Sequence, residues 1–235
     1  MELFVIFIYC ELIESIKMTN ELMTPKIIHH IVGDKRTELI EECLQSWAKL
    51  EEYGFEIKIW TDASLAAFIR KNYRFALAAF LNARNHAEAA DIARYLVVHK
   101  YGGYYVDWDI LLFNYPDFLE LSETNENGYL VVDQSNDTIA SEHFSAPVQE
   151  KYLFFLVKDI VHTFNRGERE LMWTPQYSGP YRMKTSYERF AECQQDLIHV
   201  KDIFEYDYTE IRTATVYGEK QIMIHFWMHS WLEKS

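Results

Sequence analysis

The sequence predicts an α/β protein, a sheet covered by helices, and three observations support that prediction. Short apolar runs of strand length alternate with stretches of helical period through the front of the chain, which argues against a bundle or a sandwich. Apolar residues make up 49% and charged residues 25%, the balance of an ordinary globular domain. The 235 residues suffice for one substantial core and are short for two. No internal repeat, low-complexity tract or Pro/Ser/Gly-rich linker interrupts them. One domain is therefore expected over residues 24–235, helical and irregular toward its C-terminus, with residues 1–23 as an N-terminal extension.

That extension opens on a greasy run, Leu3 to Cys10, far below the about 20 residues a bilayer span needs. Glu2 and Glu11 flank it where a signal peptide would carry Lys or Arg. It is expected to be an extra packed helix, or sequence upstream of a start at Met18 or Met23, with a helix touching a membrane peripherally as the alternative. After Pro25, KIIHHIV is a buried first strand ended by Gly33-Asp34. Leu39, Cys43, Trp47 and Leu50 recur at helical spacing between Thr37 and Tyr53, and Gly54 stops that helix. From Phe55 to Asp62, Phe55, Ile57 and Ile59 alternate with Glu56, Lys58 and Trp60 as a half-buried strand. Asp62 is placed to cap the next helix, Ala63 to Lys71. Tyr73 to Arg84 is alanine-rich and helical, and a helix from Ala87 to Lys100 ends at Gly102-Gly103. YYVDWDILLF, Tyr104 to Phe113, is then one apolar strand. Tyr129 to Asp133 is another strand, Pro147 to Phe164 a long helix, and Met172 to Tyr181 a loop. A helix near Ser186 to Gln194 and short strands near Leu197 to Val200 and Ile222 to His225 complete the chain.

Composition excludes some functions. A net charge of -13 argues against nucleic acid, whose phosphates demand a basic face, and against simple attachment to an anionic membrane. Cys10, Cys43 and Cys193 are scattered, with no CxxC and no metal-finger spacing, which points to a reduced, cytoplasmic compartment. Cys43 lies on an apolar stripe as a small hydrophobe.

The chemistry centres on Asp107-Trp108-Asp109. Residues two apart in a strand project to one side, so the two carboxylates would share a side while Trp108 packs on the other. Two acids on one side of so apolar a strand repel each other unless a cation or a water-filled cleft receives them, and hard divalent cations prefer carboxylate oxygens. Asp91 and Arg94 on the preceding helix share a face, and spacing alone favours a surface ion pair over groups aimed at a nucleotide. His225 and His229 are four apart in a segment that is not clearly helical, so its residues alone suggest aromatic packing and two ordinary histidines. His29 and His30 are expected to be structural.

Taken together, PKIIHHIV followed by ADIARYLVVHKYGGYYVDWD resembles the DXD glycosyltransferases of the GT-A fold, a Rossmann-like nucleotide-sugar-binding fold. The likeness is closest to the family of the yeast initiating α-1,6-mannosyltransferase and of bacterial capsule and lipopolysaccharide sugar transferases, glycosyltransferase family 32. It returns at Ser178-Gly179-Pro180 and from His225 to Trp231. The resemblance implies a metal-dependent hexosyltransferase with a UDP- or GDP-sugar donor, Mn²⁺ or Mg²⁺ as cofactor, and retention of anomeric configuration. By position, Asp91, Arg94, Asp107 and Asp109 would form the catalytic set. Asp91 and Arg94 would hold the ribose and sugar end of the donor, Asp107 would reach the ribose or the metal, and Asp109 would be the main metal ligand. His225, ahead of His229, would complete the metal site, and Ser230 and Trp231 would contact the diphosphate.

The implied acceptor is a glycan or lipid-linked glycan of surface polysaccharide or lipopolysaccharide synthesis, used in the cytoplasm or at the inner face of the membrane. A toxin-like protein acceptor and a non-catalytic sugar- or metal-binding module are the alternatives. Asp133 and Glu142 lie in segments that would border the acceptor. The chain departs from the family where the first strand ends Ile31-Val32-Gly33, without the aromatic that often stacks on the base, which leaves Trp60-Thr61-Asp62 to contribute. An aspartate-nucleophile phosphatase also carries a greasy strand ending in D-x-D, but it expects Thr or Val where Leu111 stands.

Overall fold

A computed structural model describes residues 23–214 and 220–228. The greasy N-terminal run with Cys10 and Met18, and the tail residues His229, Ser230 and Trp231, lie outside the described residues. In chain order the elements are β1 (Ile27–Ile31), α1 (Glu38–Ala48), β2 (Glu56–Trp60), α2 (Asp62–Asn72), α3 (Leu77–Leu81), α4 (His86–Tyr101), β3 (Gly103–Val106), β4 (Ile110–Leu112), α5 (Tyr115–Thr124), β5 (Tyr129–Asp133), β6 (Thr138–Ala146), α6 (Lys151–Asn165), α7 (Thr174–Tyr177), α8 (Pro180–Arg189), β7 (Asp196–His199), α9 (Val200–Ile203), α10 (Tyr208–Thr213) and β8 (Met223–His225).

Among the described residues six strands form one sheet in the order β2-β1-β3-β6-β5-β7, and β4 pairs with β8 in a separate ribbon. β1 lies parallel to β2 and β3, and β5 parallel to β7, while β6 runs antiparallel between β3 and β5. Only β6 opposes the common direction, so the sheet is mostly parallel. Tyr104 and Tyr105 alternate to its two faces. On one, Ile92 and Leu96 of α4 and Leu153 and Leu156 of α6 pack with Tyr105 and Phe144. On the other, Trp47 of α1 and Phe118 of α5 pack with Ile28, Tyr104 and Val131. Helices on both faces of a mostly parallel sheet are the α/β architecture the sequence predicts.

Local chemistry sets the ends of the early elements. Thr37 Oγ1 accepts from Ile40 N at 3.3 Å and caps α1. A 3₁₀ turn over Lys49–Tyr53 then closes on Gly54, whose φ of 83° is left-handed. The cap of α2 is Thr61 and not Asp62: its hydroxyl accepts from Ser64 N, and Ser64 Oγ accepts from Thr61 N at 2.9 Å. Asp62 is instead the first helical residue, where a negative charge favours the helix dipole. Gly103 has φ of 98°, and a Cβ there would stand 2.3 Å from the Ile27 carbonyl oxygen, so only glycine lets β3 draw alongside β1.

Several sequence expectations are corrected. Tyr104 to Phe113 is not one strand: β3 and β4 belong to different sheets, and the acidic triplet is the turn between them, closed by Ile110 N donating to Asp107 O at 3.2 Å. Tyr73 to Arg84 is helical only in a 3₁₀ turn and the short α3. Met172 to Tyr181 contains α7 and the start of α8, whose Pro at the first turn suits a helix start. α8 ends at Arg189, short of Gln194. Ile59 is 45% exposed because β2 is an edge strand.

Candidate functional site

β3 ends beside the end of its parallel neighbour β1, at the carboxyl edge where open α/β sheets place ligands. The turn after it lifts Asp107 and Asp109 out of the sheet. A second arm then arrives from the far end of the chain. In the β4–β8 ribbon Ile110 pairs with His225, which sets His225 next to Asp109. Two backbone donors lock that approach: Phe226 N reaches Asp109 O at 3.0 Å, and Met228 N reaches Asp109 Oδ2 at 2.8 Å. α1 supports the ribbon from below. Trp47 Nε1 donates to Ile110 O at 2.8 Å, Leu112 N donates to Ser46 Oγ at 3.0 Å, and Cys43 packs on Ile224 and Phe226. Asp107, Asp109 and His225 consequently offer ligand atoms that all lie within 4.8 Å of one another.

Asp91 and Arg94 open onto the same cleft, which Glu142 also lines. They are buried, so the surface ion pair that spacing favours is not what the fold builds. Arg94 stands 3.4 Å from both Asp91 Oδ1 and Asp107 Oδ1, donates to Ser141 O at 2.6 Å, and lies over the Tyr105 ring at 4.5 Å. Ser178 Oγ donates to Asp91 Oδ2 at 2.7 Å, and Tyr105 OH donates to Asp107 Oδ1 at 2.6 Å. The Ser178-Gly179-Pro180 triplet thus has a physical role, while Tyr105 and Ser141 carry no sequence signal that would single them out. Trp227 stacks on His225 with ring centroids 4.1 Å apart, from a backbone at φ of 43° that a bulky residue adopts only under constraint.

Electrostatics divides these groups. Burial lifts the Asp91 carboxyl to about 6, against the pull of Arg94. Burial likewise raises Asp107 and Glu142 above the usual carboxylate range. At Asp109 burial is overcome by His225 and the Met228 amide, and its carboxyl is held below that range. At His225 burial is overcome by Asp109, Glu142 and Asp107, and its pKa rises. Arg94 stays charged because Asp107 and Asp91 outweigh its burial.

The donor set suits a hard divalent cation: two carboxylates and an imidazole converge, with an excess of negative charge around them. His225 Nδ1 is buried without a hydrogen-bond partner, the nearest carboxylate oxygen being Glu142 Oε1 at 3.8 Å. Asp133 lies elsewhere. Its side chain accepts from Ser135 N and Asn136 N in the turn after β5 and does not line the cleft. Trp60 is also off the cleft, packed with Phe68 and Tyr101 and donating from Nε1 to His29 Nδ1 at 3.1 Å. His29 and His30 are structural, each bonded to a backbone carbonyl.

Residues 37–145 match the model of the glycosyltransferase sugar-binding region containing a DXD motif. Among curated proteins, inositol phosphoceramide mannosyltransferase 3 of Schizosaccharomyces pombe is 32% identical over 92 residues, 37% of this chain and 24% of that protein. Mannosyl phosphorylinositol ceramide synthase SUR1 of Saccharomyces cerevisiae is 30% identical over 93 residues, 37% of this chain and 23% of its own length. An uncharacterized glycosyltransferase of Acanthamoeba polyphaga mimivirus is 30% identical over 108 residues, 42% of this chain and 41% of the viral protein. The matches span about a quarter of the two yeast proteins and about two fifths of the viral one. The solved PaToxG glycosyltransferase superposes with a TM-score of 0.52 at 15% identity, covering 71% of this chain and 70% of that one, a likeness of fold. The fold is therefore that of the GT-A glycosyltransferases, and the match to the DXD-containing sugar-binding region is confined to residues 37–145.

Proposed function

We propose that the chain is a retaining, metal-dependent glycosyltransferase that moves a hexose from a UDP- or GDP-sugar to a glycan or lipid-linked glycan. The observation that carries this reading is the convergence of Asp107, Asp109 and His225 beside the buried Asp91–Arg94 pair, at the carboxyl edge of a mostly parallel sheet. Asp107, Asp109 and His225 would hold Mn²⁺ or Mg²⁺, which when bound supplies a Lewis acid for the diphosphate oxygens. Arg94 keeps its charge between Asp91 and Asp107 and fixes both carboxylates in place. Asp91, with one oxygen tied to Ser178, presents the other side of its carboxylate to a donor hydroxyl. In the transfer the acceptor hydroxyl oxygen bonds to the anomeric carbon on the face that the diphosphate oxygen leaves, and the departing diphosphate takes the hydroxyl proton.

The yeast relatives are named as mannosyltransferases of inositol phosphoceramide, so GDP-mannose and a phosphoinositol lipid are the pair to try first. The resemblance to bacterial sugar transferases is what supports the other proposed setting, surface polysaccharide or lipopolysaccharide synthesis, in the cytoplasm or at the inner face of the membrane. Among the described residues no helix is long and apolar enough to cross a membrane. The test is a panel of UDP- and GDP-sugars with and without Mn²⁺. Metal-dependent release of nucleoside diphosphate, abolished by Asp109→Ala, is expected. Phosphate release from simple phosphomonoesters, or donor binding without turnover, would sink the proposal.

A further inference from the structure

Next to its acidic groups the cleft has a stretch of different character, lined by Ile31 at the end of β1, His86 and Ala87 at the start of α4, and Trp108. Trp108 is half-buried, packed against Val32, Ile40 and Leu44. Its six-membered ring lies on Gly33, where a Cβ would stand 2.9 Å from Cη2. Gly33 therefore leaves room at the end of β1 for a ring that comes from the turn after β3. The His86 ring stands 6.5 Å from that of Trp108, inclined at 40°, with Nδ1 3.4 Å from Asp62. Among the described residues the other two tyrosine or tryptophan rings lining the cleft are occupied: Tyr105 lies under Arg94, and Trp227 is stacked on His225. Among the described residues the stretch lined by Thr174, Pro175, Gly179 and Pro180 has no aromatic ring in its lining.

We infer that Trp108 is the stacking platform for the nucleobase of the donor, with His86 as a second, lesser wall. The inference rests on the donor-binding reading above and adds a base-recognition role for the middle residue of the acidic triplet. A nucleoside diphosphate joins its base to its phosphates through one ribose, so the base must lie within a ribose of the groups that hold the diphosphate. Trp108 meets that condition covalently, being bonded to both aspartates. The aromatic ring missing from the end of β1 is thus supplied at the same place by another element.

The test is calorimetric titration of the full chain in Mn²⁺ with UDP, with GDP and with pyrophosphate. Trp108→Leu is expected to weaken the preferred nucleoside diphosphate on the order of tenfold, and Gly33→Ala, whose Cβ crowds Cη2 and displaces the ring, to weaken it in the same direction by less. His86→Ala should weaken it less, and pyrophosphate binding should stay within about twofold in all three, since stacking touches only the base. Nucleotide affinity unchanged in Trp108→Leu overturns the inference. If Trp108→Leu weakens pyrophosphate as well, Gly33→Ala decides: a loss confined to the nucleotide upholds the inference, and an equal loss of both overturns it. A wild-type chain that binds pyrophosphate but neither nucleotide sinks the donor reading itself, whereas tight nucleotide binding that ignores these variants sinks only the role of Trp108.

Discussion

Histidines in two regions of this molecule are almost equally buried and oppositely charged in tendency. In the central sheet His29, His30 and His143 are at 0% exposure, and burial pushes each of them down to about 4. They are paired with backbone carbonyls at 2.9 Å: His29 with Gly102, His30 with Val106 and His143 with Tyr105. Those carbonyls follow one another along β3 and its approach, so neutral imidazoles from β1 and β6 pin the strand that ends in the acidic triplet. At the cleft His225 is 4% exposed, yet three surrounding carboxylates outweigh burial and its pKa goes up. Counter-charge, and not burial, separates a core histidine from a site histidine here.

The comparison is broken or sharpened most strongly at Asp109. Asp109→Ala should lower metal-dependent turnover on the order of a thousandfold, as removal of a preorganised charge-stabilising group does. In the metal-free variant the His225 pKa, read by NMR titration, should fall from its wild-type value, because the leading attraction on it is gone. An unmoved His225 would break the comparison. Next in size is the exchange between the two regions. His225→Ala should cut Mn²⁺ affinity by about 10- to 100-fold, the range found for groups that shape a metal site. His143→Ala should spare that affinity and lower the urea midpoint, at a cost of about 2–4 kcal/mol for the vacated space and the unpaired Tyr105 carbonyl and Tyr129 hydroxyl.

A pH effect of known sign follows. The folded His143 refuses a proton until about pH 4, whereas in the unfolded chain it accepts one near 6.5. Its stabilisation is therefore whole above about pH 6.5 and is lost as pH falls toward 4. Comparing His143→Gln with wild type isolates this contribution: the variant's urea stability should fall less steeply across that window, by roughly 1 kcal/mol per pH unit. Equal slopes would show that His143 is not held neutral. The smallest effect is expected from Ser178→Ala, which removes the hydroxyl donated to Asp91. It should weaken kcat/KM for the donor by several-fold, about 1 kcal/mol. It should also raise the Asp91 carboxyl further above about 6, since a bond that favours its charged form is lost.

Much of the front half is legible in the order of its residues. Asn85 caps α4, Gly102 and Gly103 end it, and apolar YYV leads on to the acids, all within local reach. The run Tyr104 to Phe113 misleads because unbroken hydrophobicity reads as one strand, while the triplet inside it is a turn between two sheets. β6 escapes a hydrophobic reading for the opposite reason. Its TIASEHFSA is polar in composition, yet it lies between β3 and β5 and is buried almost throughout, with His143 and Ser145 finding partners only in the folded sheet and Ser141 accepting from Arg94 through its carbonyl. α5 is absent from the sequence expectations as well, although Asn114 caps it and Pro116 sits in its first turn.

Local sequence suffices for the carboxylates, for Asp91 and Arg94 on one helix face, and for the α/β class, because caps, glycines and hydrophobic period act over a few residues. It does not suffice for the cluster. Asp109 and Met228 stand 119 residues apart, and nothing near either announces that an amide of one will bind the carboxylate of the other. The same holds for the Ser178 hydroxyl on Asp91 and for the Trp108 ring on Gly33. Those contacts depend on how the β4–β8 ribbon, α8 and the central sheet pack, a property of surfaces that meet only when the whole chain has folded.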